Sequence, residues 1–378
     1  MRLHDDEQEA EFRASLRVWL REHLPPVPEV GARRWTPAEL RGWNRTLWTG
    51  GYAGMSWPVS YGGCGAPPAV QEIFVAESAR AGAPDHANLI GLNMVGPTVI
   101  RHGTAVQRDT YLPGILRGDT LFCQGFSEPE AGSDLAAIRT RAVPAPDGGY
   151  RITGEKIWSS YADTADACLL LARTDGPPGR HDGLTCFLVD MSTPGVTVQP
   201  LRQMSGDADF SRITLTDVAV PESAVVGPAG SGWRVAMTTL AHERGTLAVT
   251  LVARLAVQFD RLRRTVVAAG ADRDRSVRDQ LATLHVEVEA LRCTAHRAVA
   301  TAQGGDPAPE ATVLKLRWSE VDQRVCALGF DVATPRSPWR AYWERERLRS
   351  RTSTIEGGTS EILRGIVAER VLGLPRSR

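Results

Sequence analysis

Lysine is almost missing from this chain: Lys156 and Lys315 stand alone among 44 basic side chains. Phosphate recognition by guanidinium forks is one reading of such an arginine excess. A codon bias, which also accounts for the abundant Ala, Gly and Pro, explains it more simply. Net charge is missing too, with 44 acidic against 44 basic residues. No global field therefore draws the protein to nucleic acid or to an anionic membrane surface. The six cysteines (64, 123, 168, 186, 293 and 326) form no C-x-x-C pair and have no histidine at zinc-finger spacing. That excludes a zinc module, and no metal is expected; the cysteines read as buried thiols in a reducing compartment. No apolar run approaches the ~20 residues that a membrane span needs. The acidic start, Met1-Arg-Leu-His-Asp-Asp-Glu, lacks the apolar core of a signal peptide. A cytoplasmic protein with no membrane partner is expected.

The remaining composition is that of a soluble globular chain, 42% hydrophobic and 23% charged over 378 residues. Such a length holds one large domain or two to three packed subdomains. Phe12, Leu16, Trp19 and Leu20 fall at i, i+4, i+7 and i+8, one stripe of a helix that Pro25-Pro26 ends. Thr36-Pro-Ala-Glu39 is a capping box with Pro at the first helical position, and Gly50-Gly51 closes the helix it starts. Thr104-Ala-Val-Gln107 repeats the pattern, with Pro113 and Gly114 expected to limit the helix that follows.

From about 121 to 225 the period shortens. Cys168-Leu-Leu-Leu-Ala and Leu184-Thr-Cys-Phe-Leu-Val read as buried strands, and Arg212 to Val220 alternates as a half-exposed one. Pro144, Pro146, Asp147-Gly148 and Gly176-Pro-Pro-Gly179 supply turns. Helical periods return over about 233–265, 276–303 and 309–334, with a last helix from about 360. Gly304-Gly305 and Pro335-Arg-Ser-Pro338 punctuate them. The fold class is α+β, helical, then β, then helical.

Two segments carry the chemistry. Gln124-Gly-Phe-Ser-Glu-Pro-Glu-Ala-Gly-Ser-Asp134 combines hydroxyls, small residues and a proline, as a loop wrapped around a polar ligand does. Gly154-Glu-Lys-Ile-Trp-Ser-Ser160 places a tryptophan and a hydroxyl two positions apart, on one side of an expected strand. The pair suits a flat heteroaromatic ring: indole over a face, and a hydroxyl of Ser127 or Ser160 at a ring heteroatom.

Both segments resemble the flavin-binding signature of the acyl-CoA dehydrogenase family, and the resemblance extends over nearly the whole chain. It implies an N-terminal α-helical domain (1–120), a middle β-barrel domain (121–228) and a C-terminal four-helix-bundle domain (229–378). It implies FAD as cofactor, contacted by Gln124, Phe126, Ser127, Gly132, Ser133, Trp158, Ser159 and Ser160, with Thr359 and Glu361 touching the flavin of their own subunit. Ser133 also matches a residue that contacts the acyl-CoA arm. The activity implied is α,β-dehydrogenation of an acyl thioester, on CoA or on a carrier protein.

Removing hydrogen beside a thioester requires a base for the α-proton, a hydride acceptor, and donors for the charge that develops on the carbonyl. No side chain accepts hydride, so the cofactor carries that step. The resemblance offers two positions for the base. In Thr354-Ile-Glu-Gly-Gly-Thr-Ser-Glu-Ile362, anchoring on Gly358-Thr359-Ser360 puts Gly357 in the usual slot and displaces Glu356 from it. In Leu240-Ala-His-Glu-Arg-Gly245, Glu243 matches the alternative position and Arg244 the arginine that follows it. Glu243 is placed ahead of Glu356, with Arg244 and Gly357 on the substrate side.

Two family patterns are missing. Gly270-Ala-Asp-Arg-Asp-Arg-Ser276 stands where Arg-x-x-Phe-Gly is expected, and no Gly-Gly loop occurs near Cys326-Ala-Leu-Gly-Phe330. In the family these patterns bind the pyrophosphate and adenine end of FAD across a dimer interface. The implied partners are an acyl thioester, an electron-transfer flavoprotein or another acceptor, and further subunits in a homodimer or homotetramer, or in a heteromer of unlike chains. Two other readings remain: a flavin monooxygenase of the N-hydroxylase type on the same fold, and a partner subunit completing another chain's site.

Overall fold

A computed structural model describes residues 4–27, 34–146, 148–301 and 310–375, the side chains of 243–248 excepted. In chain order the helices are α1 (Glu7–His23), α2 (Pro37–Thr49), α3 (Pro68–Ala81), α4 (Gly96–His102), α5 (Ala105–Arg117), α6 (Gly232–Ala268), α7 (Arg275–Thr301), α8 (Glu310–Val332), α9 (Arg340–Arg349) and α10 (Ser360–Ile366). The strands are β1 (Phe122–Gly125), β2 (Arg141–Pro144), β3 (Tyr150–Ser160), β4 (Ala167–Arg173), β5 (Leu184–Asp190), β6 (Val196–Leu201), β7 (Phe210–Val220) and β8 (Val225–Val226). All the strands lie between α5 and α6, as the change of period requires. Of the expected breaks, Asp147 and Gly304-Gly305 lie outside the described residues.

The chain forms two compact units, one of residues 37–65 and 85–242, the other of 1–36, 66–84 and 243–378. In the first, the strands make one sheet in the order β6-β7-β3-β2-β4-β5-β8, with β1 paired in parallel to β4. Strand β4 is buried along its whole length, and its period of two serves two cores. Cys168, Leu170 and Ala172 pack with Phe187, Ile152, Ile213 and Leu215 inside the curled sheet. Ala167, Leu169 and Leu171 pack on the other face with Trp57, Val95, Ile115 and Leu116 from the helical segments. A continuous apolar run is what a strand buried on both faces needs, which is why its sequence shows no alternation.

Helix α5 departs from expectation. Its capping box forms, with Gln107 N–H donating to Thr104 Oγ1 at 3.1 Å and Thr104 N–H donating to Gln107 Oε1 at 3.0 Å. It then runs through Pro113 and ends only at Gly118, which has φ 77°. Pro113 costs one main-chain hydrogen bond, but Leu112, Ile115 and Leu116 on the same helix are buried, and that burial holds the turn together.

In the second unit, Leu16 and Leu20 of α1 are buried as the apolar stripe requires. Glu77 of α3, 3% exposed, accepts from Arg13 at 2.7 Å, Arg17 at 2.7 Å and Arg80 at 2.7 Å, tying α1 to α3. His296 of α7 pairs with Glu72 of α3 at 2.9 Å. The long helices share a core of Leu255, Leu262, Val288, Leu314, Val325 and Trp343. Trp343 Nε1 donates to Thr265 Oγ1 at 2.9 Å, and Gly329 leaves room for its indole: a Cβ there would lie 2.3 Å from the ring. Cys326 to Phe330, where the sequence lacks a Gly-Gly loop, is continuous helix in α8. The segment 270–276 turns at Gly270, and Asp274 Oδ1 then accepts from Ser276 N–H at 2.7 Å.

Candidate functional site

The site begins at the end of β1. Gly125 has no room for a side chain, since a Cβ there would meet Leu170 Cδ1 at 2.8 Å and Cys168 Sγ at 2.9 Å. Strand β1 is thereby pressed against β4, with Gln124 half-buried and Phe126 buried. The chain then turns tightly: Glu128 and Ala131 exchange backbone hydrogen bonds, each at 3.0 Å. Gly132 and Ser133 follow on the exposed side of the turn, and a Cβ at Gly132 would meet nothing within 4 Å.

A buried pair staples this turn to β3. Lys156 is fully buried, and its Nζ donates to Glu128 Oε1 at 2.8 Å and to Phe126 O at 3.0 Å. Glu128, 8% exposed, also accepts from the backbone N–H of Arg139 at 2.6 Å and of Thr140 at 2.9 Å. Burial alone would raise the Glu128 carboxyl, but the Lys156 charge, its hydrogen bond and the donors at 139 and 140 together hold it below the ordinary value. The Ile157 N–H donates to Ser127 O at 2.9 Å, so Ser127 lies against the strand one residue before Trp158.

The strand itself is irregular there. Lys156 pairs with Ile213 and Ser159 with Ser211, so β3 uses three steps where β7 uses two. The extra residue is Trp158, at φ 61°. Trp158 and Ser160 keep to one side of the strand, both against Phe210, while the bulge turns Ser159 inward at 2% exposure and leaves the Trp158 indole 58% exposed, edge-on to Phe210. Ser160 is half-buried opposite Phe210. A tryptophan at positive φ is strained, and such strain is characteristic of residues held for a ligand. The Ser159 hydroxyl is buried without a hydrogen-bond partner.

The remaining expected residues lie in the other unit. Glu356 is held by Arg349, whose Nη2 donates to Glu356 Oε2 at 3.0 Å and whose Nη1 donates to Oε1 at 3.3 Å. Gly357, in the usual base slot, has φ 61° and Gly358 φ 94°, conformations that disfavour any side chain. Thr359 caps α10, its Oγ1 accepting from Ile362 N–H at 3.3 Å. Glu361 is exposed in the first turn, and its own backbone N–H and then Thr359 hold its carboxyl below the ordinary value. Glu243 and Arg244 fall within α6, but their side chains lie outside the described residues. Thus the structure gathers Gln124 to Ser133 with Trp158 to Ser160 in one unit, and Glu356, Gly357, Thr359 and Glu361 in the other.

Sequence reasoning missed Glu128, Arg349 and both lysines as site architecture. The signal for the lysines was present, two in a chain whose other basic residues are arginine. Among the described residues no cluster of His, Cys, Asp or Glu could hold a metal ion, and no helix is long and apolar enough to cross a membrane.

Residues 6–119, 123–218 and 230–372 match, in turn, the N-terminal, middle and C-terminal domains of acyl-CoA dehydrogenase. The chain belongs to the acyl-CoA dehydrogenase family. It is 37% identical to the acyl-CoA dehydrogenase IpdE1 of Mycolicibacterium smegmatis, over 97% of this chain and 98% of that protein. The solved Tcur3481-Tcur3483 steroid ACAD superposes with a TM-score of 0.89 at 32% identity, covering 100% of both chains. The ChsE4-ChsE5 complex from Mycobacterium tuberculosis gives a TM-score of 0.86 at 30% identity, again covering 100% of both chains. As an acyl-CoA dehydrogenase, the chain is an oxidoreductase of a flavoprotein family whose chemistry is the dehydrogenation of acyl thioesters. The residues at the β3 bulge fit such a cofactor: an exposed indole for a ring face, and the half-buried Ser160 on the same side of the strand.

Proposed function

We propose that this chain binds FAD at the β3 bulge and removes the α- and β-hydrogens of an acyl thioester, with Glu243 as the base. One observation carries the cofactor assignment: the exposed indole of Trp158, extruded at positive φ next to the stapled Ser127 turn. Gln124, Phe126, Gly132, Ser133, Ser159, Ser160, Thr359 and Glu361 complete the proposed cofactor contacts, with Ser133, Arg244 and Gly357 on the substrate side. FAD, when bound, supplies the hydride acceptor that no side chain offers. The chain's own part is to hold the ring, orient the thioester and take the α-proton. A carboxylate suits that task in an apolar, water-poor setting, where desolvation raises its basicity. The bidentate Arg349 partner of Glu356 supports Glu243, because an ion-paired carboxylate is a weaker base.

Purified protein mixed with excess FAD tests the reading. A perturbed flavin absorption spectrum is expected; a spectrum identical to free FAD overturns it. The acyl group is proposed to be of the steroid type named for the solved Tcur3481-Tcur3483 neighbour, carried on CoA or a carrier protein, with an electron-transfer flavoprotein as acceptor. Bound flavin reduced by a steroid-type acyl-CoA faster than by a linear one is the expected result.

Solved neighbours named as pairs of unlike chains favour one variant of this reading, in which the protein works as one subunit of a heteromer. The two missing adenine-end patterns agree with it. Light scattering of the chain alone, and mixed with candidate partners, separates a homodimer or homotetramer from a heteromer.

A further inference from the structure

Both lysines of this arginine-rich chain are buried, Lys156 at 0% and Lys315 at 4% exposure. One sits on a strand and the other on a helix, in different units. They use their donors alike. Lys156 Nζ donates to Phe126 O at 3.0 Å and Glu128 Oε1 at 2.8 Å; Lys315 Nζ donates to Ser353 O at 2.9 Å and Gly358 O at 3.0 Å. In each case the acceptors bracket or adjoin a residue assigned to FAD. Ser127 lies between Phe126 and Glu128, and Thr359 directly follows Gly358.

We infer that Lys156 and Lys315 are positioning residues for the two loops that hold the cofactor, an inference that rests on the FAD reading above. An ammonium is a compact donor whose three N–H groups can converge on oxygens lying in different directions. A guanidinium is a rigid planar fork that needs a wider slot. At Lys156 the whole side chain is buried, and its stem packs beside Gly125, where an added Cβ would lie 3.5 Å from Lys156 Cγ. At Lys315 the anchoring is reinforced from the same helix. Lys315, Ser319, Asp322 and Cys326 recur at helical spacing along α8, all buried, and Asp322 Oδ2 accepts from Ser353 Oγ at 2.9 Å. The carbonyl and the hydroxyl of Ser353 are thus both tied to α8.

The test compares K156M, K156R, K315M and K315R with R13M, which breaks the remote Arg13–Glu77 pair of α1 and α3. FAD affinity and the bound-flavin spectrum are measured below the melting temperature of every variant. Deuterium exchange is measured on the FAD-free proteins. K156M and K315M are expected to bind FAD at least about tenfold more weakly, with an altered flavin spectrum. Faster exchange is expected over 126–134 in the first and over 353–360 in the second. K156R and K315R should not restore binding, whereas R13M should lower the melting temperature and leave FAD affinity at the parental value. If K156M does not fold, Glu128→Gln reads the same staple; if K315M does not fold, Ser353→Ala, which frees the loop from Asp322 Oδ2, reads the anchoring of that loop to α8. Parental affinity and spectrum in the methionine variants overturn the inference, as does an equal loss of affinity in R13M. A parent protein that leaves the FAD spectrum unperturbed overturns the FAD reading, and this inference with it.

Discussion

Lys156 and Glu128 form a buried ion pair, Nζ to Oε1 at 2.8 Å, where the Ser127 turn meets strand β3. With exposures of 0% and 8%, neither partner can exchange the other for water. Removing one charge therefore leaves the other stranded. Glu128→Gln is expected to cost about 3–5 kcal/mol of unfolding free energy, the range for breaking a buried pair. The doubly substituted E128Q/K156M protein should lose less than the two single changes summed, because it strands no charge. Urea denaturation of the parent, the single variants and the double variant measures the coupling.

The base assignment predicts a clean difference between two carboxylates. Glu243→Gln should retain FAD and bind the thioester, while substrate-driven bleaching of the flavin falls by ~10²–10⁴-fold, the usual contribution of a general base. Glu356→Gln should change that rate little, since the Arg349 fork already occupies the carboxylate. Stopped-flow absorbance on the two variants decides it. The reverse pattern would assign the base to Glu356.

Trp158 separates stability from binding. Replacing it with glycine releases a strained φ of 61°, worth about 1–3 kcal/mol. It also removes the edge contact with Phe210 and adds chain entropy to the unfolded state. These effects oppose one another, so Trp158→Gly should stay within about 1 kcal/mol of the parent in stability. FAD affinity should fall nonetheless. Thermal melting of the FAD-free protein beside a flavin titration shows both.

Asp322 predicts a pH dependence. Burial, reinforced by the charge of nearby Glu346 and only partly offset by the Ser353 hydroxyl, pushes its carboxyl from 3.8 up to about 6. Between those values the folded protein holds a proton that the unfolded chain has released. Stability should therefore fall as pH rises from about 4 to about 6 and then level off, a change of about 3 kcal/mol. Asp322→Asn keeps an acceptor for Ser353 and should flatten that part of the curve. Melting temperature against pH, for parent and variant, gives the slope directly.

What the sequence determined by itself was local. Capping boxes, apolar periods and Gly or Pro breaks mark helix starts and strand runs because each depends on residues a few positions apart. The Thr104–Gln107 cap and the doubly buried β4 were legible for that reason. The two flavin-type segments were legible as well, since their residue types are contiguous. What tertiary structure decided was which residues support them. Pro113 looked like a helix end, but burial of Leu112, Ile115 and Leu116 carried the helix past it. Trp158 and Ser160 were legible as neighbours on one strand face, where both meet Phe210, but only pairing with β7 revealed the bulge between Lys156 and Ser159 that turns this pair away from the buried side. Glu128 reaches Lys156 across 28 positions, and Lys315 reaches Gly358 across 43. Partners so distant leave no periodic trace in the sequence, because only the folded chain brings them within hydrogen-bond distance.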